Sequence, residues 1–104
     1  MKIQINTDNN IEGSQKLTSY LTSLITDGLG RFSDQITRVE VHLSDVNGRK
    51  DGEDDKRCMI EVRLEGMQPM VVTDQALTSE RAVSGAIDKL TSKMDSRIGR
   101  KRKY

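Results

Sequence analysis

Polar and apolar residues keep two different periods along this chain. Ile3 and Ile5 alternate with Lys2 and Gln4, which predicts a strand over residues 2–7. Asp8-Asn9-Asn10 reads as a turn. Gly13-Ser14 opens a helical pattern with Ser14 as N-cap, and Leu17, Tyr20, Leu21, Leu24 and Ile25 recur at spacings of three and four as its apolar face. Gly28 and Gly30 suit the end of that helix, and Phe32 just beyond is expected to close the core. From Thr37 the period becomes two. Val39, Val41 and Leu43 point one way, and Arg38, Glu40 and His42 the other.

The same alternation returns at Cys58, Ile60, Val62 and Leu64, opposite Met59, Glu61 and Arg63. Glu65-Gly66-Met67-Gln68 reads as a tight connection, and a short strand follows from Met70 to Thr73 with Pro69 at its start, a place suited to an edge strand. Thr78 or Ser79 can cap a final helix over about 78–100, whose stripe is Val83, Ala86, Ile87, Leu90, Met94 and Ile98. The order strand, helix, three strands, helix predicts a two-layer α+β domain: a four-stranded sheet with two helices on one face and a polar, wet second face. Residues 45–56, DVNGRKDGEDDK, form a polar connection of twelve residues, long for a hairpin and expected to be mobile.

With 104 residues, the chain reads as one domain. At 34% hydrophobic and 32% charged it is polar, yet its periodic apolar blocks separate it from disordered chains. Tyr20, Phe32 and Tyr104 are the only aromatic residues, so the core is aliphatic. A lone cysteine, Cys58, permits no internal disulfide and fits a reducing compartment. The N-terminus has no signal-like or membrane-spanning apolar run, which points to the cytoplasm.

Charge adds what hydropathy does not show. From Arg81 to Tyr104 eight cations face two carboxylates, a net +6, and the remainder has nine bases against fourteen acids, a net −5. Lys89, Lys93, Arg97 and Lys101 lie four apart and form one ridge beside the apolar stripe. Like charges at that spacing cost a helix about 0.2–0.5 kcal/mol per pair, and no feature of the predicted fold requires them. A solvated cationic face at the negative end of the helix dipole is the plain reading. Phosphate binding is the sharper one. The GRKRKY tail favours it, because Arg100, Lys101, Arg102 and Lys103 lie beyond the apolar stripe and bury nothing.

Other candidate chemistry is thin. His42, the only histidine, stands on the polar sheet face without a second histidine or a nearby cysteine, and reads as a surface residue. Cys58 points inward and reads as a small core residue rather than a reactive thiol. Glu53, Asp54 and Asp55 do not match the spacing of a calcium loop and read as a solvated turn. No nucleophile stands with a base, and no glycine-rich loop is shaped for phosphates. The expectation is a binding protein without enzymatic activity, cofactor or metal.

In element order and in its final helix the chain resembles the ribosome hibernation promoting factor family, short relatives of ribosome-associated inhibitor A. The resemblance runs from MKIQI through Leu17, Leu21 and Leu24, the RVEVHLSD strand, DDKRCMIEVRLEG and QPMVVTD. It is strongest at Ala86-Ile87-Asp88-Lys89-Leu90, followed by Lys93, Met94 and Arg97. Just before that segment the family usually has an acidic pair and Met-Tyr, where this chain has Glu80-Arg81-Ala82-Val83-Ser84-Gly85. The resemblance implies a β-α-β-β-β-α fold related to double-stranded RNA-binding domains. It also implies binding in the messenger and transfer RNA channel of the small ribosomal subunit, which holds ribosomes inactive. Under it, Arg81, Lys89, Lys93, Arg97, Arg100, Lys101, Arg102 and Lys103 are expected to meet ribosomal RNA. The protein is expected to be monomeric off the ribosome, to lack the C-terminal dimerising domain of long members, and to have no membrane or small-molecule partner. A general structured-RNA binder, or a protein-interaction module using the acidic loop and wet sheet face, are the alternatives.

Overall fold

The computed structural model describes residues 1–8, 15–46 and 56–102, with side chains described up to Ile98. Its elements are β1 (Lys2–Thr7), α1 (Gln15–Leu29), a 3-10 turn (Gly30–Phe32), β2 (Ile36–Asp45), β3 (Lys56–Leu64), β4 (Met70–Ala76) and α2 (Ser79–Arg102). The strands form one mixed sheet in the order β1-β2-β3-β4. β1 runs parallel to β2, with Ile3 beside Val39 and Ile5 beside Val41, and the remaining pairs are antiparallel. This is the predicted α+β architecture.

Alternation selects the buried sheet face. Val39, Val41 and Leu43 on β2, Cys58, Ile60, Val62 and Leu64 on β3, and Met70 and Val72 on β4 are buried. They meet Leu21, Ile25 and Leu29 of α1 and Ala82, Val83, Ala86, Ile87, Leu90 and Met94 of α2 in one aliphatic cluster that Phe32 closes. The opposite face carries Arg38, Glu40, His42, Glu61 and Arg63, none of them buried. Arg38 pairs with Glu40 at 2.9 Å and Arg63 with Glu61 at 3.7 Å. His42 lies 3.8 Å from Glu40, on the surface as expected.

Three expectations change. Tyr20 is 51% exposed rather than on the apolar face. Only the row Leu21, Ile25, Leu29 is fully buried, and Tyr20 and the half-buried Leu24 flank it. Asp45 and Lys56 are strand residues that pair with each other in register and through a 3.1 Å ion pair, so the connection between β2 and β3 is shorter than its composition suggests. β4 continues to Ala76 instead of stopping at Thr73. There Asp74 occupies an inward register position, which breaks the apolar alternation and hides the rest of the strand. Residues 47–55 of the polar connection, and the proposed Ser14 cap, lie outside the described residues.

Local chemistry explains the turns. Gly66 has φ 72°, the left-handed region that glycine enters without a Cβ penalty, so it suits the β3–β4 turn. Thr78 is the cap of α2: its Oγ1 accepts the Arg81 N–H at 3.1 Å. A Cβ at Gly28 would stand 2.6 Å from Ile87 Cγ2, so glycine lets the last turn of α1 sit close against α2. Arg31 in the 3-10 turn donates two 2.8 Å hydrogen bonds to Asp95 of α2. That contact holds the Asp95 carboxyl below its ordinary range and the Arg31 guanidinium above its own. Among the described residues no helix is long and apolar enough to cross a membrane.

Candidate nucleic-acid interface

α2 lies against β3 and β4, and its cationic ridge runs beside β4, the outer strand of the sheet. An outer strand has one row of main-chain groups without a strand partner. The ridge reaches this row. Lys89 Nζ donates to the Thr73 carbonyl at 2.9 Å, and Lys93 Nζ to the Val71 carbonyl at 3.2 Å. Arg97 Nη1 donates to the Gln68 carbonyl at 3.4 Å, just before the strand begins. Three cations on successive turns, about 6 Å apart along the helix axis, thus meet three carbonyls along one edge.

This corrects the reading that the fold has no use for the ridge. The side chains stay exposed along this contact, Lys89 by 56%, but their inner donors bond protein. An ammonium has three donors, so Lys93, bonded to one carbonyl, keeps two for a ligand, and Lys89, which also meets Asp74, keeps one.

Asp74 organises the upper end of the ridge. Its Oδ1 is 3.0 Å from Lys89 Nζ. Asp74 pairs in register with Cys58 and so faces the helix layer at its margin. Space for the carboxylate comes from Gly85, where any Cβ would overlap it. Gly85 and Lys89 are four residues apart, so one turn of α2 makes room for Asp74 and the next neutralises it. Asp74 and Gly85 were not among the expected site residues. The signal was available: Asp74 continues the period-two series from Met70 and Val72, and Gly85 precedes Lys89 by one helical turn.

The other expected residues divide. Arg81 is exposed in the first turn of α2. Arg100, Lys101 and Arg102 lie on the helical backbone, but their side chains, and all of Lys103, are outside what is described. An open groove between α2 and β4 is lined by Val71, Thr73, Asp88, Lys89, Ser92 and Lys93. Cys58 is fully buried, and burial with the nearby Asp74 charge pushes its thiol up to about 12, so it is a core group. No set of three metal-ligating side chains comes together among the described residues. The arrangement sets three cationic side chains in a line along the β4 edge.

The sequence model of the family described as Sigma 54 modulation protein / S30EA ribosomal protein matches residues 3–103. No curated protein matches in sequence. Among solved structures, the N-terminal domain of Protein Y from Thermus thermophilus is similar with a TM-score of 0.71 and 21% identity, over 89% of this chain and 94% of that one. A ribosomal subunit interface protein from Coxiella burnetii is similar with a TM-score of 0.71 and 17% identity, over 95% of this chain and 99% of that one. At these identities the two likenesses establish a shared fold.

Proposed function

Because the chain belongs to the Sigma 54 modulation protein / S30EA ribosomal protein family, we propose that it associates with ribosomes, binds ribosomal RNA in the decoding channel of the small subunit and holds the ribosome translationally inactive. It acts by occupancy, as a binding factor in the cytoplasm, without chemistry of its own.

The observation that carries this reading is the anchored row of Lys89, Lys93 and Arg97. Free lysines lose rotamer entropy when they meet a phosphate. Here the carbonyls of Thr73, Val71 and Gln68 hold the heads in place before a ligand arrives. A line of fixed cations favours a continuous phosphate backbone, and such contacts position a protein without reading bases.

Gradient sedimentation of purified ribosomes with the protein tests the first half of the proposal, and translation in a purified system tests the second. Co-migration with small subunits together with loss of peptide synthesis is expected. Association only with ribosome-free RNA, or binding that leaves synthesis unchanged, would overturn it.

A further inference from the structure

We propose that Lys89 and Lys93 close the β4 edge against strand pairing with a second copy of this chain, so that the ridge keeps the protein monomeric by a role separate from anything it binds. Strand Met70–Ala76 has the composition of an edge at risk. Its one charged residue is Asp74, and Val71 is 45% exposed. Edge strands of this kind recruit other strands unless they are blocked.

The strand itself does not oppose self-pairing. A two-fold axis through Thr73 would set Thr73 opposite Thr73, Val71 opposite Gln75 and Val72 opposite Asp74. No like charges would meet, and Thr–Thr pairs are favourable in antiparallel ladders. Thr73 and Val71 carbonyls point away from β3, as their lysine partners show. Main-chain groups of alternate residues share a direction, so the central exchange of such a dimer would use the Thr73 N–H and carbonyl of each copy. Lys89 holds that carbonyl and Lys93 holds the one before it. Two ridges brought together would also face each other as like charges. The block therefore comes from α2, through both hydrogen bonding and repulsion.

The test is the mass of Lys89→Met/Lys93→Met by sedimentation velocity over a concentration series. Methionine keeps helix propensity and removes donor and charge. Wild type and Lys89→Arg/Lys93→Arg are expected to stay monomeric, whereas the methionine variant is expected to double in mass as concentration rises. Adding Thr73→Pro removes the outward N–H at a position where an edge strand tolerates proline, and is expected to restore the monomer. If the double methionine variant loses its circular dichroism signature, Lys93→Met alone, which keeps the Lys89–Asp74 pair, is judged by the same criteria. A folded methionine variant that stays monomeric, or a dimer that survives Thr73→Pro, would overturn the proposal. Either result leaves the RNA-binding reading standing, because ribosome association is measured separately.

Discussion

The carboxylate of Asp74 fills the space that a side chain at Gly85 would need. A strand residue that would otherwise leave a charge at the margin of the core is accommodated by a missing Cβ on α2 and neutralised by Lys89 at 3.0 Å. Sheet, helix and cationic ridge are coupled at this one point.

That coupling predicts a reversal of sign. Gly85→Ala in the wild type displaces Asp74 and separates it from Lys89. Overpacking of this kind costs about 1–3 kcal/mol, which exceeds the helix-propensity gain of about 1 kcal/mol. In an Asp74→Ala background the obstruction is gone, and the same substitution is expected to stabilise by about 0.5–1 kcal/mol. Urea denaturation of the four proteins in the cycle reads both changes. Equal effects in the two backgrounds would show that Gly85 and Asp74 do not interact.

Leu90 is fully buried between the ridge and the sheet. Leu90→Ala is expected to destabilise by about 2–5 kcal/mol, the range for large-to-small changes in a packed core. A midpoint shift equivalent to less than about half a kilocalorie would mean that α2 is rotated relative to β3 and β4.

Cys58 supplies a pH test. Its thiol is raised from 9.0 to about 12 by burial, with the Asp74 charge adding to it. The folded protein therefore favours the neutral thiol. Its contribution is fully present below the unfolded value and is lost as pH rises from about 9 towards about 12. Stability in that window is expected to fall more steeply for wild type than for Cys58→Val, which has no group to ionise. Thiol reagents should label Cys58 only as fast as the protein opens, and rapid labelling of the folded state at neutral pH would contradict the buried assignment.

Much of this fold is legible from periodicity because both of its layers are regular. Val39, Val41 and Leu43, then Cys58, Ile60, Val62 and Leu64, alternate without interruption, and the α2 stripe holds its phase as far as Met94. Legibility fails where a tertiary contact substitutes for an apolar residue. Asp74 cuts the apolar alternation of β4 short, and a carboxylate at an inward position makes sense only with Gly85 and Lys89 across from it. Spacing places Tyr20 inward because it does not say how narrow the buried row of α1 is. The ridge was visible as a row of charges. Its attachment to the Thr73 and Val71 carbonyls was not, because hydropathy does not show which strand lies at the sheet edge or which helix face overlooks it.

The ridge itself gives the most direct quantitative test. If Lys89, Lys93 and Arg97 each neutralise one phosphate, the slope of log K against log salt for ribosome binding contains about 0.7–0.9 from each. Replacing all three with Gln keeps strong helix formers on an exposed face and leaves an amide N–H donor at each of the three positions. The variant is therefore expected to remain folded, to bind more weakly, and to show a slope shallower by about 2–3. Its loss of affinity should be largest at low salt and shrink as salt rises, because the missing term is the release of counterions. A folded variant with the wild-type slope would move the interface away from this edge of the molecule. The open sheet face, with Arg38, His42 and Arg63, is then the surface to neutralise next.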